Sequence, residues 1–225
     1  MSSKHVYFVR HGESVANATG IRQGPKSQLS EKGRIQASAV AKRIAQLPVG
    51  CILVSPYVRT TETARPLIDA SCPASVEYSE LFIERVNPSI MLGTKAGVPE
   101  TEQIWDEIAK HYGVPGWRYS DEENFEDLIL RAKKALTLLE TLPERTIVVV
   151  SHGMFMKVIF AYVLLGEQLN GRTFWDKFVP AKNVANTGIM HLEYTENYWK
   201  TGMLWKLHSW NDHAHLDEHT RIAKT

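Results

Sequence analysis

The chain has 225 residues, of which 44% are hydrophobic and 23% are charged, and its formal net charge is +1. These values are ordinary for a globular protein and allow one large α/β domain, or a core domain that carries an insertion. The near-neutral charge argues against a nucleic-acid partner and against binding to an anionic membrane. The two cysteines predict no disulfide framework. The apolar runs are too short for a signal peptide or a bilayer span, so we expect a cytoplasmic protein.

The first predicted strand, Val6–Val9, ends in the run Arg10-His11-Gly12-Glu13-Ser14. A short apolar run is typical of a buried strand, and ligands of open α/β sheets bind beyond the carboxyl ends of the strands. A guanidinium binds phosphate oxygens, and an imidazole can serve as a nucleophile or a proton carrier. Gly12 permits a sharp turn or a close approach to a ligand. Asn17 is placed to point an amide donor into the same crevice.

Two later strands also end in polar residues. Cys51–Val54 is a continuous apolar run, as in a parallel sheet covered on both faces, and Arg59 follows it at the start of the next helix, where anions are favoured. Thr146–Val150 is β-branched almost throughout and is followed by Ser151-His152-Gly153. The remaining periodicity predicts helices from Ser30, as the N-cap, to Leu47, over 60–68, over 122–141 and after Gly153 to Leu165, and strands at 75–78, 187–194 and 198–207.

Between residues 80 and 121 the periodicity fades, because prolines and glycines interrupt the segment repeatedly. One short helix near 100–112 is the most that the pattern supports. We predict an inserted cap segment at about 82–122 that lies over the crevice, within a single domain of residues 1–225.

Three predicted strands therefore end in a basic or imidazole group: Arg10-His11, Arg59 and His152. In a parallel sheet these ends meet at one edge, which predicts an anion site. A cluster of positive groups disfavours protonation of a neighbouring imidazole, so we expect His11 to stay neutral, with a lone pair free to attack phosphorus. In phosphoryl transfer the protein mainly positions the reactants and stabilises charge on the equatorial oxygens.

These motifs resemble those of the histidine phosphatase superfamily, which includes the cofactor-dependent phosphoglycerate mutases. Arg10-His11-Gly12-Glu13-Ser14 with Asn17 is similar to the first motif of the family, and Ser151-His152-Gly153 is similar to the motif that carries its second histidine. The run from Ser55 through Arg59 to Ala64 is similar to the second motif, and Glu123-Asn124 with Arg131 falls where the family often has a similar helix start. The resemblance implies a three-layer α/β/α sandwich with a mostly parallel central sheet and a small inserted cap.

The resemblance also implies roles for individual residues. His11 is the nucleophile, and Arg10, Arg59 and His152 bind and stabilise the transferring phosphoryl group. The leaving alkoxide needs a proton, and Glu84 matches the general acid of the family, with Glu80 as the alternative. The implied substrate-binding residues are Arg10, Asn17, Gln23, Gly24, Arg59, His152 and Gly153. Arg22, Arg85 and Lys95 have two interpretations. They could contact the rest of a substrate, or they could be ordinary surface charges.

The residue before Gly24 bears on the reaction. Many phosphatases of the family have glutamine at that position, and this chain has Gln23. The mutases usually have a small hydroxyl residue or cysteine there. The mutases also use an adjacent arginine pair in the inserted segment, and this chain has none. We therefore predict a phosphatase that hydrolyses a small phosphorylated metabolite through a phosphohistidine on His11. A cofactor-dependent phosphoglycerate mutase and a non-catalytic phosphate-binding regulatory module are the alternatives.

We expect the enzyme to need no metal and no other cofactor. Four histidines near the end of the chain have a spacing that fits no closed zinc pattern, and they lack cysteine partners. They are His208, His213, His215 and His219. The sequence carries no signal for an oligomeric state.

Overall fold

The structure of the protein is a computed structural model that describes residues 3–181, 184–199 and 201–216. Within these residues six strands form one sheet. They are β1 (Lys4–Arg10), β2 (Cys51–Val54), β3 (Ser75–Tyr78), β4 (Thr146–Ser151), β5 (Ile189–Glu196) and β6 (Met203–Asp212). Their order is β3-β2-β4-β1-β5-β6, in which the first four strands are parallel and the last two are antiparallel additions at one edge.

The helices connect these strands. They are α1 (Val15–Thr19), α2 (Glu31–Ile44), α3 (Val58–Ser71), α4 (Pro99–His111), α5 (Phe125–Thr141), α6 (Gly153–Leu165) and α7 (Gly171–Thr173). A π-helical turn, Phe174–Phe178, continues α7, and 3-10 turns lie at Glu80–Phe82, Ser89–Met91 and Gly166–Gln168. Ser30 is the N-cap of α2, as predicted, because its side chain accepts a hydrogen bond from the Gly33 N–H.

The sheet buries both of its faces, as its continuous apolar strands predicted. Alternate residues of β4 pack in opposite directions: Val148 and Val150 join a cluster with α2 and α3, whereas Ile147 and Val149 join a cluster with α5 and α6. Fully burying one such side chain contributes about 1.5–3 kcal/mol. The predicted three-layer α/β/α sandwich with a mostly parallel central sheet is confirmed.

The segment between β3 and α5 contains α4 and two 3-10 turns. Helix α4 closely matches the predicted helix near 100–112, and Pro99 occupies its first turn, where proline is tolerated. The segment pairs with the loop after α1, since the Arg22 N–H donates to the Thr94 carbonyl at 2.9 Å and the Gly93 N–H donates to the Arg22 carbonyl at 2.9 Å. The assignment of residues 82–122 as a cap within a single domain remains a prediction.

The C-terminal strand pair is present, but its predicted bounds were wrong. Strand β5 begins at Ile189 rather than at Thr187, because Thr187 has φ of 59°, a left-handed conformation that departs from the extended backbone of a regular strand. Strand β6 begins at Met203 rather than at residue 198. The Asn197 N–H donates to the Gly202 carbonyl at 3.0 Å and closes the hairpin. The aromatic residues 198 and 199 therefore lie in the turn rather than in a strand.

Other bounds differ by a few residues. Helix α5 begins at Phe125 rather than at residue 122, because Asn124 and Asp127 form a capping box. Helix α1 was not predicted. It begins after Ser14, whose side chain accepts a hydrogen bond from the Asn17 N–H, and its five residues are too few for a periodic pattern.

Candidate active site

The carboxyl ends of three parallel strands bring the predicted catalytic residues to one edge of the sheet. Strand β4 lies between β1 and β2, and Arg10 at the end of β1 is in register with Ser151 at the end of β4. The residues that follow these strands therefore lie side by side. The ring centroids of His11 and His152 are 5.2 Å apart.

His11 is fully buried and is held as a single neutral tautomer. Its Nδ1 lies 2.7 Å from the carbonyl oxygen of Gly12. A carbonyl can only accept, so Nδ1 carries the hydrogen and Nε2 keeps its lone pair. Burial, and then the charges of Arg59 and Arg10, hold the pKa of His11 well below its usual range. The imidazole is therefore neutral at physiological pH, which is the state that a nucleophile needs.

The turn after His11 is fixed by its neighbours. A Cβ at Gly12 would lie 2.5 Å from the Gly33 carbonyl oxygen, so only glycine allows α2 to begin this close to the motif. The Gly12 N–H also donates to Thr63 Oγ1 at 2.9 Å. Helices α2 and α3 thus hold the turn, and the close approach that Gly12 permits is to backbone of this chain.

His152 occupies the N-cap position of α6 and is also fully buried. Its Nε2 lies 2.8 Å from Ser55 Oγ, which fixes the ring plane. The Tyr57 ring packs edge-on against it, with centroids 5.2 Å apart. Burial, followed by the charge of Arg59, holds the pKa of His152 well below its usual range. Two neutral imidazoles therefore face each other across the strand ends.

The two arginines are desolvated beside these rings. Arg59, 1% exposed, donates to the Gly24 carbonyl at 2.9 Å, and burial lowers its pKa to about 10. Arg10 donates to the Val184 carbonyl, and burial lowers its pKa as well, while nearby Glu84 opposes that shift. Arg59 remains charged at neutral pH because even its lowered pKa of about 10 lies well above 7.

Four buried polar atoms in this group have no hydrogen-bond partner among the described residues. They are Arg10 Nε, His11 Nε2, Arg59 Nε and His152 Nδ1. Leaving a buried polar group unpaired costs about 1–3 kcal/mol, more for a charged one. The two guanidinium nitrogens are donors that a bound tetrahedral anion would satisfy. His11 Nε2 is an acceptor instead, and its lone pair is left free.

Glu84 lies at the N-terminus of α6, next to His152. Its Oε1 accepts hydrogen bonds from the N–H groups of Phe155 and Arg85, both at 3.0 Å, and its Oε2 accepts from the Met154 N–H at 3.2 Å. The alternative acid, Glu80, is exposed at the start of a 3-10 turn. The geometry favours Glu84, and its role as the acid remains a prediction.

Hydrogen bonds and close packing connect the other predicted substrate-binding residues to the first motif and to the two arginines. Asn17 uses its carboxamide oxygen in the α1 capping box, accepting from the Ser14 N–H at 3.3 Å. Ser14 Oγ donates to Gln23 Oε1 at 2.7 Å. The Gly24 carbonyl is the acceptor for Arg59, and Gly153 lets the start of α6 lie against Arg10, since a Cβ there would be 3.3 Å from Nε. Contacts of these residues with a substrate remain predictions.

The three further basic candidates differ in their surroundings. Arg22 forms an ion pair with Glu102 at 2.9 Å, and Arg85 donates to Asn87 at 2.8 Å while its guanidinium lies 4.5 Å from the Trp105 ring centroid. Lys95 is exposed. Arg22 and Arg85 both have partners within the protein, and Arg22 Nε is a further buried atom without a hydrogen-bond partner among the described residues.

Sequence reasoning gave no role to several residues that support the site. Ser55 and Tyr57 belong to a motif that was noted, but their contacts with His152 depend on the neighbouring strand. Asn186 Nδ2 donates to the His11 carbonyl at 3.1 Å, and the Thr187 N–H donates to the Arg10 carbonyl at 3.1 Å. Their only sequence signal is their place just before a strand that joins the sheet beside β1.

The part of the chain that the structure describes holds no group of three or more potential ligands arranged for a metal ion. Its C-terminal histidines have other neighbours. His208 Nε2 lies 2.8 Å from a Glu193 carboxylate oxygen, and His215 Nε2 lies 3.0 Å from Thr187 Oγ1. His213 Nδ1 lies 2.7 Å from the Asn211 carbonyl oxygen, and His219 lies outside the described residues. No helix within the described ranges is long and apolar enough to cross a membrane.

Fold and site together define an α/β protein with two histidines and two arginines gathered at the carboxyl ends of its parallel strands. The family model of the histidine phosphatase superfamily, branch 1, matches residues 6–212, and the chain belongs to this superfamily.

Individual relatives carry different names. A probable phosphoglycerate mutase GpmB from Erwinia tasmaniensis is 29% identical over 216 residues, which are 95% of each chain. Among solved structures, a mycobacterial glucosyl-3-phosphoglycerate phosphatase with bound VO3 shares the fold with a TM-score of 0.73 at 20% identity, covering 92% of this chain and 99% of that one. A mutant phosphoserine phosphatase from Entamoeba histolytica with phosphoserine has a TM-score of 0.71 at 25% identity, covering 95% and 99%.

Proposed function

We propose that this protein is a metal-independent phosphatase that hydrolyses a small phosphomonoester through a phosphohistidine on His11. The observation that carries the proposal is the state of His11. Its Nδ1 faces the Gly12 carbonyl, its Nε2 is buried and unpaired, and two guanidinium groups lie beside it. A neutral imidazole held this way is a nucleophile aimed at an anion site.

In the first half of the reaction, His11 Nε2 attacks phosphorus and the bond from phosphorus to the leaving oxygen breaks. Arg10, Arg59 and His152 stabilise the charge on the equatorial oxygens. The leaving oxygen takes a proton from Glu84 and departs as an alcohol. Oε2 of Glu84 suits this transfer, because it accepts a single hydrogen bond in the structure whereas Oε1 accepts two.

In the second half, Glu84 accepts a proton from a water molecule as the water oxygen attacks phosphorus. The bond to Nε2 of His11 breaks, inorganic phosphate is released, and His11 returns to its neutral state. Glu84 is again protonated and ready for the next substrate. The cycle consumes one ester and one water and needs no metal, redox partner or second substrate.

The substrate is proposed to be a small phosphorylated metabolite. The names of the structural neighbours, a glucosyl-3-phosphoglycerate phosphatase and a phosphoserine phosphatase, support a small phosphorylated acid. Phosphoglycerate mutase activity is the second candidate, since curated relatives bear that name. Gln23 in place of a small residue, and the lack of an arginine pair, weigh against it.

The test is to trap the intermediate. Labelled phosphomonoester is mixed with enzyme and the reaction is stopped within milliseconds by alkaline denaturant, because a phosphohistidine hydrolyses in acid. We expect the label on the peptide that contains His11. Turnover with no covalent label, or a label on another residue, contradicts the proposed intermediate. Rapid isomerisation of 3-phosphoglycerate with a trace of 2,3-bisphosphoglycerate would instead establish the mutase.

A further inference from the structure

A buried arginine on α5 contacts the chain on the N-terminal side of Glu84. Arg131 Nη1 donates to the Ile83 carbonyl at 2.8 Å and to the Leu81 carbonyl at 3.2 Å, and its Nη2 lies 3.5 Å from the carbonyl of Glu84 itself. Three carbonyls within four residues thus converge on one guanidinium. Its planar fork holds them in a fixed geometry that an ammonium group does not reproduce.

The same guanidinium is paired with Glu123, which holds the chain on the other side of Glu84. Arg131 Nε and Nη2 donate to the two Glu123 oxygens at 2.8 Å and 2.7 Å, and Oε2 of Glu123 also accepts from the Val86 N–H at 2.9 Å. The segment that carries Glu84 is therefore clamped from Leu81 to Val86 by one ion pair.

This ion pair is also fixed against α6. The Arg131 guanidinium lies 4.2 Å from the ring centroid of Phe155, whose N–H is one of the donors to the Glu84 carboxylate. The two side chains of the pair are only 11% and 16% exposed. A buried ion pair carries a desolvation cost that often cancels its Coulombic gain, so stability alone is a weak reason for this arrangement.

We propose that the Arg131–Glu123 pair positions Glu84 for proton transfer to the leaving group. The inference rests on the proposed function, in which Glu84 is the general acid. A misplacement of about 1 Å in a reacting group can cost roughly 100-fold in rate. Neither member of the pair contacts the predicted phosphate-binding atoms, so both are positioning residues and act through Glu84.

The leaving group separates this role from general support of the fold. An alkyl phosphate such as glycerol 1-phosphate leaves as a strongly basic alkoxide and needs an acid, whereas p-nitrophenyl phosphate leaves as a stable phenolate and does not. Glu84 also activates the water in the second half-reaction, which is common to both substrates, so the comparison uses kcat/KM, which reports steps only through phosphorylation of His11. Loss of positioning should therefore lower kcat/KM for the alkyl ester alone. A general loosening of the site should slow both substrates.

The experiment compares Arg131→Lys and Glu123→Gln with the parent protein on both substrates. We expect kcat/KM for the alkyl phosphate to fall about 10- to 100-fold and kcat/KM for p-nitrophenyl phosphate to change less than about 3-fold. Lys133→Gln is the matched control on α5, since it removes an exposed ion pair with Glu167, and it should behave like the parent. Glu123→Gln keeps the shape of the side chain and carries the test if Arg131→Lys does not fold.

The Glu84→Gln background completes the test. If Arg131 acts through Glu84, the Arg131→Lys change should add less than about 3-fold on the alkyl ester once Glu84 is replaced, because the two effects are not additive. Equal losses of kcat/KM on both substrates, or a full loss that persists in the Glu84→Gln background, overturn the positioning role while leaving the phosphatase proposal intact. If Glu84→Gln itself lowers kcat/KM equally for both substrates, the acid assignment and the positioning role both fail.

Discussion

The strand-end site and the inserted segment differ in whether their arginine side chains leave a buried nitrogen without a hydrogen-bond partner within the protein. At the strand ends, Arg10 and Arg59 are desolvated, and each keeps a buried nitrogen without a partner. In the segment before α5, Arg85 donates to Asn87 and Arg118 forms a two-bond contact with Asp127. The segment uses its arginines to hold itself together, whereas the site keeps donor atoms open. Such unpaired groups cost stability and mark the place where a ligand contributes the missing contacts.

The comparison predicts that the largest loss follows from removing the nucleophile. His11→Ala should reduce kcat by roughly 10⁴- to 10⁶-fold, the scale seen when a catalytic nucleophile is removed from other enzymes. Steady-state hydrolysis of p-nitrophenyl phosphate measures this loss. His208→Ala changes an exposed histidine on β6 and is the control. Full hydrolysis by His11→Ala would rule out the phosphohistidine route.

The next largest effect should come from Arg59. Arg59→Ala removes a donor to the equatorial oxygens and should lower kcat about 100- to 1000-fold. Vanadate can take up the five-coordinate geometry of the transition state, so its Kd should rise more than that of phosphate. Competitive inhibition by each anion measures both values. Arg34→Ala, on the exposed side of α2, is the control, and an equal weakening of both anions would contradict the transition-state role.

Ser55→Ala should have a smaller effect. It removes one neutral hydrogen bond, from the group that fixes the ring of His152, and such a bond contributes about 0.5–1.5 kcal/mol, or roughly 2- to 12-fold in rate. We expect the loss in kcat, with KM for the same ester little changed. Ser55→Thr keeps a hydroxyl and should recover part of the rate. A variant with unchanged kcat would show that His152 is fixed by its other neighbours.

A change in the inserted segment should leave anion binding alone. Glu102→Gln removes the charge that pairs with Arg22. The Glu102 side chain is half exposed, and exposed pairs contribute only about 0–1 kcal/mol. Vanadate Kd should stay within about 2-fold of the parent value. The ranking of a panel of phosphorylated metabolites by kcat/KM is where we expect a difference. Weaker vanadate binding would mean that the segment and the strand ends are not independent.

The smallest expected effect is that of chelation. The two arginines supply the positive field that a divalent ion supplies in other phosphatases, and the proposed nucleophile is a side chain rather than a metal-bound water. Exhaustive EDTA treatment should therefore leave kcat and KM unchanged in an assay of ester hydrolysis. Loss of activity that magnesium or zinc restores would contradict this account of the site.

The sequence predicted the strand ends well and the supports of the site poorly. His11, Arg59 and His152 could be placed because continuous apolar strands predict a parallel sheet, whose carboxyl ends share an edge. The hydrogen bonds from Arg131 to the chain before Glu84 could not be predicted, since they depend on how α5 packs against a segment whose sequence has no periodicity. The bounds of β6 were wrong because residues 198 and 199 are aromatic, as strands prefer, yet lie in the turn.

The place of β1 in the sheet bears on how the chain is made. The ribosome releases His11 first, but β1 pairs with β4 and β5, and the His11 carbonyl is held by Asn186. At about 5–20 residues per second, these partners emerge on the order of ten seconds or more after the motif itself. A nascent chain that ends before Asn186 therefore contains His11 but lacks both the side chain that holds the His11 carbonyl and the strand β5 that pairs with β1, so the site is completed only when the last strands join the sheet.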